Sequence, residues 1–229
     1  MAEPPFTVVF ALYPDLTQLD FTGPYQVFVA APRTEVVVAS REGGTLVSDS
    51  GLAFAGLTPL REVQACDLLC VPGGRGMAEA IKDAAYLEEL RRLAGLSRYV
   101  TSVCTGSLVL GAAGLLQGRR ATSHWRWREH LALFGATPDP ARVVRDGNVF
   151  TGGGVTAGID FALTVVAEVF DDRTAQAIQL AIEYAPDPPF SAGRPETAPP
   201  EVLDFVQRRY APTAPAREAA LRDAAVALT

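Results

Sequence analysis

Cys104 stands in SVCTGS, after the β-branched run YVTSV and before the small-residue stretch GSLVLGAAGLL. A thiol at such a boundary has two readings. It is a core cysteine, packing as a small hydrophobe, or it is a nucleophile projected over a sheet from a tight strand-to-helix turn. The second reading predicts activation by position, because a helix N-terminus carries partial positive charge and favours thiolate over thiol. Gly106, Gly111 and Gly114 would let that helix lie close under the turn. Three distant features could serve the same thiol. Asp20, in TQLD, offers a carboxyl for proton transfer. Thr17 and Asp20 fit a capping box equally well. Gly73-Gly74, in VPGGRG, follows an apolar run and would expose backbone N–H donors able to stabilise a developing anion. The same pair also reads as a plain turn. His124, in ATSHW, could form a Cys–His pair or be a hydrogen-bonded structural histidine.

The elements that would position these residues follow from hydrophobic runs and their punctuation. Apolar stretches of strand length lie at 6–12, 34–40, 67–74, 99–104 and 148–154. Helical patterns fall at 17–31, broken at Gly23-Pro24, and at 83–96, 106–116, 155–170 and 171–184. Residues 51–57 read as a hairpin or edge extension, and 121–135 as a short strand running into a helix. Alternating strands and helices predict a mostly parallel sheet covered on both faces. In such sheets the site lies beyond the carboxyl ends of the strands, which is where Gly73-Gly74, Cys104, His124 and the 152–154 glycines fall. TGGGVTAG lacks the Gly-Lys-Ser/Thr of a P-loop and a strict Gly-x-Gly-x-x-Gly, so it reads as a tight turn. Trp125 and Trp127 read as packing residues and His130 as a surface residue. Residues 185–200 are proline-rich and predict an irregular segment, followed by short helices near 200–210 and 214–227.

The 229 residues are 48% hydrophobic and 20% charged, which suits one α/β domain with a sizeable core. A net charge of -6 without a basic stripe argues against nucleic-acid binding. The N-terminus lacks the basic start of a secretory signal. Residues 99–118 are uncharged and long enough to raise a membrane span. Their serines, threonines and glycines, and their split into strand and helix, argue against it. Three cysteines do not make a disulfide framework. Cys66 and Cys70 flank CDLLCV at a spacing unlike a zinc knuckle, so both read as structural and a reducing cytoplasm fits.

Taken together, LYPDLTQLDFTGPYQVF, VPGGRG, TSVCTGSLVLGAAGLL, ATSHW and TGGGVTAGIDFAL resemble the PfpI-like superfamily of class I glutamine amidotransferase-like folds, over roughly residues 7 to 195. The resemblance implies a flavodoxin-like three-layer α/β/α sandwich, with a catalytic domain over 1–195 and a C-terminal helical extension over 196–229. It implies a homodimer, a catalytic cysteine at Cys104 and an acidic partner at Asp20. The segments are most like those of the isonitrile hydratase branch. That branch has aspartate at the position of Asp20, and threonine, here Thr105, where amidase-like relatives carry histidine. The implied activity is that of a lyase of the hydro-lyase type, adding water to a small-molecule isonitrile to give an N-substituted formamide. The implied course is a Cys104 thioimidate with Asp20 as acid and base. Thr105 would position water or Asp20, backbone N–H groups of Gly74 and Thr105 would stabilise charge, and His124 would contact substrate. No metal or organic cofactor is implied. Two other readings share the same elbow: a glyoxalase or deglycase acting on reactive carbonyls, and a redox or stress sensor in which Cys104 oxidises to sulfinate.

Overall fold

The computed structural model describes residues 4–228. In chain order its regular elements begin with β1 (Phe6–Leu12), α1 (Gln18–Val29), β2 (Thr34–Ser40), β3 (Gly44–Val47), β4 (Ala53–Pro59) and β5 (Leu68–Val71). There follow α2 (Met77–Ala80), α3 (Ala84–Leu96), β6 (Tyr99–Val103), α4 (Gly106–Ala112), β7 (Arg120–Ala121), β8 (Thr137–Pro138), β9 (Val143–Asp146) and β10 (Val149–Gly152). The chain ends in α5 (Ala157–Val169), α6 (Asp172–Ala181), α7 (Pro200–Tyr210) and α8 (Ala214–Val226). Eight strands form one sheet in the order β3-β4-β2-β1-β5-β6-β10-β9. The inner pairs are parallel, and the antiparallel pairs β3–β4 and β9–β10 form the two edges.

Continuous apolar character marks the middle of the sheet. Every residue of β5 and β6 is buried, as is all of β1 except Phe6. Strands covered on both faces need no alternation. One covering layer packs α1, α5 and α6 together; the other packs α2, α3, α4 and α8. This is the expected α/β/α sandwich. α3 shows how local sequence meets the layer. The Asp83 side chain accepts from the Tyr86 N–H and caps the helix, while Tyr86, Leu87, Leu90 and Leu93 are its buried stripe. The Tyr86 hydroxyl then donates to the Ala11 carbonyl at 2.7 Å, tying helix to sheet.

Two of the expected elements need correction. α1 runs unbroken through Gly23 and Pro24 rather than restarting there. An interior proline forfeits one helical hydrogen bond. The compensation is close packing on α5, where a Cβ at Gly158 would stand 2.9 Å from the Pro24 ring and one at Gly23 3.3 Å from Ile159. The stretch 121–135 holds only a two-residue strand, β7, and a 3-10 segment, Arg128–Phe134, instead of an α-helix. Gly135 ends that segment in the left-handed region, at φ 71°.

The uncharged stretch 99–118 splits into β6 and α4, and among the described residues no helix is long and apolar enough to cross a membrane. Beyond α6 the proline-rich stretch is irregular, and α8 returns to the body through buried Ala214, Ala220 and Leu221. His130, expected at the surface, is half-buried against Trp127 and faces Glu218 of α8.

Candidate active site

Cys104 follows the last residue of β6 and has φ 57°, a left-handed conformation that a residue with a Cβ adopts only under constraint. The constraint is visible. The Cys104 N–H donates to the carbonyls of Gly152 and Gly153 at 3.0 and 2.9 Å. The Cys104 carbonyl accepts from the Ser107 hydroxyl at 3.1 Å and the Ser123 hydroxyl at 3.0 Å. α4 must begin immediately beneath, and Gly106 permits this: a Cβ there would collide with the Val71 carbonyl. This is the strand-to-helix elbow that SVCTGS suggested. Cys66 and Cys70, by contrast, are buried inside the layers as free thiols, pushed up by burial to about 11 and about 12.

The capping reading of Asp20 does not hold. Thr17 makes no side-chain cap; its hydroxyl donates to Asp49 Oδ2 at 2.8 Å, and its N–H goes to the Gly73 carbonyl at 2.9 Å. Asp20 instead points across the carboxyl end of the sheet. Its Oδ2 accepts from the Gly73 N–H at 2.9 Å, and its Oδ1 has no hydrogen-bond partner among the described residues. The side chain is fully buried. Burial raises its pKa to about 7, against the opposing pull of the Gly73 N–H and the neighbouring Cys104 thiol. A Cβ at Gly73 would stand 2.8 Å from both Asp20 Oδ2 and Thr105 Oγ1, so glycine is what lets these three meet.

The thiol behaves contrary to the expectation from the helix N-terminus. Burial, and then the Asp20 charge, push Cys104 well above the ordinary thiol range, and the Thr105 N–H pulls the other way without reversing the sign. Desolvation outweighs the partial charge of a helix only seven residues long. The site therefore holds a thiol beside a carboxyl poised near neutrality, and the base that can ionise the thiol is Asp20.

Thr105 is bound to the loop after β5. Its Oγ1 accepts from the Gly74 N–H at 3.0 Å. That N–H is thus engaged within the chain, whereas the Thr105 N–H is directed at Cys104. His124 lines the same cavity as Cys104 but forms no hydrogen bond with it. Its Nδ1 accepts from the Arg126 N–H at 3.3 Å, which leaves the ring proton on Nε2. Burial lowers its pKa to about 4, so the ring is neutral, lodged between Trp125 and Tyr210.

The cavity over Cys104 measures about 500 Å³. Part of its wall escaped the sequence reading: Asp49 from the β3–β4 turn, Arg75 beside the glycine pair, and Tyr210 and Arg217 from the last two helices. Arg75 was detectable, being next to Gly74. The others arrive only through tertiary packing. Trp127, read as a packing residue, is buried and also lines this cavity.

A doubly wound sheet with an elbow thiol and a buried carboxyl beside it defines a class of α/β-sandwich proteins. Residues 6–168 match the DJ-1/PfpI family, and the chain belongs to it. It is 50% identical over 204 residues to an isonitrile hydratase of Pseudomonas putida, covering 89% of this chain and 90% of that one. A THiJ/PfpI family protein from Pseudomonas syringae superposes with a TM-score of 0.91 at 40% identity, covering 95% of this chain and 90% of that chain. Drosophila melanogaster DJ-1beta, at 23% identity and a TM-score of 0.71 over 80% of this chain and 100% of its own, shares the fold.

Proposed function

We propose that this chain is an isonitrile hydratase, converting R–N≡C and water to R–NH–CHO. The observation that carries the reading is a buried Asp20 neighbouring Cys104, its pKa raised to about 7, with Thr105 after the cysteine in place of the histidine that amidase-like relatives are expected to carry. The 50% identity to the Pseudomonas putida enzyme over most of both chains supports it.

The chemistry follows from that pair. An isocyano carbon accepts a nucleophile and a proton at the same atom. Asp20 takes the Cys104 proton as sulfur bonds to the terminal carbon, then delivers it to that carbon, giving the thioimidate Cys–S–CH=N–R. A carboxyl with a pKa near the working pH suits both halves of this transfer. Asp20 then accepts a proton from water as its oxygen adds to the thioimidate carbon, and passes that proton to the nitrogen, leaving the hydroxyl proton of Cys–S–CH(OH)–NH–R to go to sulfur. The tetrahedral species collapses to the formamide and sulfur leaves, recovering its proton. The Thr105 N–H faces the sulfur through this cycle, while its hydroxyl holds the Gly74 loop in place. Neutral His124 serves as a cavity-lining Nε2–H donor, not as the base. No metal or organic cofactor takes part.

We take residues 1–195 as the catalytic domain and 196–229 as an extension that closes the cavity over it. Family resemblance supports a homodimer acting on a small molecule; the sparse cysteines fit a cytoplasmic setting, and the net charge of -6 and the mixed 99–118 stretch argue against nucleic-acid and membrane partners. The test is formamide production from cyclohexyl isocyanide, with methylglyoxal as the contrasting substrate. Turnover of the isocyanide that disappears in Cys104→Ala is expected. Turnover of methylglyoxal alone would overturn the assignment, and a Cys104→Ala variant of normal activity would remove the nucleophile.

A further inference from the structure

The roof of the Cys104 cavity is cationic. Arg209 and Arg217, from the helices beyond the proline-rich segment, face the same space as Arg75 from the loop after β5. No side-chain hydrogen bond or ion pair joins any of these three guanidinium groups to another described residue. Among the described residues lining that space the one carboxylate is Asp49, whose Oδ2 accepts from the Thr17 hydroxyl and whose pull on Arg217 is outweighed by burial and by Arg75. Arg217 is half-buried, its guanidinium 5.7 Å from the Trp127 ring centroid. Arg217 also holds its proton less tightly than an ordinary arginine, because of burial first and the nearby Arg75 charge second. Three guanidinium groups around one cavity, set against a single carboxylate, leave it net cationic and suited to an anion.

We propose that this roof selects isonitriles bearing a carboxylate, held by Arg217 with Arg75 and Arg209 at the mouth, while the isocyano carbon reaches Cys104. A guanidinium presents paired N–H donors that match a carboxylate, and it keeps its charge at any working pH. The arrangement also has a catalytic reason. A carboxylated substrate approaches Asp20 in its charged form, and arginines at the mouth offset that repulsion. The product is then an N-formyl amino acid, formed from the isocyano acid and one water. The C-terminal helices thus act as the specificity element of the site. This inference rests on the hydratase reading.

The test compares isocyanoacetate with methyl isocyanoacetate, which has the same isocyano group and no charge, in the full-length protein. The readout is the ratio of kcat/KM for acid over ester within each variant, so a general loss of activity cancels. In Arg217→Met the ratio is expected to fall about tenfold, the size of a lost charge-assisted bond. Smaller falls are expected in Arg75→Met and Arg209→Met, and the wild-type ratio should drop as salt is raised. Arg208→Met, outside the cavity lining, is the control and should keep the wild-type ratio. Turnover of both compounds with a ratio unchanged across the three cavity variants overturns the carboxylate selection and leaves the hydratase standing. Turnover of neither compound nor of cyclohexyl isocyanide overturns both.

Discussion

Asp20→Asn separates what the carboxyl does for the reaction from what its burial costs the fold. In the folded protein this group titrates at about 7 rather than at the ordinary 3.8. Across that window the folded state binds more protons than the unfolded chain, so stability falls as pH rises. One pKa unit is about 1.4 kcal/mol, so the full separation corresponds to about 4 kcal/mol, of which roughly 3 is lost between pH 5 and pH 8. Asparagine cannot ionise, and its amide oxygen can still accept from the Gly73 N–H. Urea denaturation of both proteins at the two pH values should therefore show the variant gaining on the wild type by roughly 3 kcal/mol at the higher pH. Its kcat/KM should be lower by about a thousandfold, since a positioned acid–base group is gone. The wild-type kcat/KM should rise with pH through about 7, because the ionised carboxylate is the form that takes the thiol proton. Equal pH slopes of stability in the two proteins would refute the buried-carboxyl account, and equal turnover would refute its role in catalysis.

Other outcomes follow from the same geometry. At Cys104, with φ 57°, a glycine variant should be about 1 kcal/mol more stable than the alanine variant, both being inactive; equal denaturation midpoints would remove the strain argument. Thr105→Val leaves the Gly74 N–H without its acceptor and should cost about 1–3 kcal/mol, with Thr105→Ser restoring both stability and turnover. An NMR titration should find the His124 ring neutral down to about pH 4, and a midpoint near the ordinary 6.5 would contradict its enclosure.

The layers of this fold were readable because their signals are local. β1, β5 and β6 are apolar runs too short for helices, and α3 declares itself by Asp83 and a buried stripe at helical spacing. The misread elements have non-local causes. Pro24 suggests a break because a proline removes a hydrogen bond, yet Gly158 on a helix 134 positions later gives its ring a place to pack. The stretch after β7 has helical spacing in sequence, but the 3-10 segment it forms is packed against α4 and α8.

The site divides along the same line. Cys104, Gly106 and the glycines at 73–74 could be picked out because an elbow and a close approach demand particular residue types. The protonation of the thiol could not, because it depends on which term wins at one buried point. A short helix offers partial positive charge from its first N–H groups, but those groups act here on a sulfur excluded from water beside a carboxylate. Burial moves thiol and carboxyl the same way, and the carboxyl, starting from 3.8, arrives near neutrality while the thiol moves further from it. The consequence is a division of labour opposite to that of a Cys–His thiolate pair. In the proposed reaction the nucleophile waits as a neutral thiol, and the carboxylate beside it takes the proton as sulfur attacks. A carbon that must receive sulfur and hydrogen together needs that proton held at the site, and a preformed thiolate paired with imidazolium on Thr105's side of the elbow is not required to supply it.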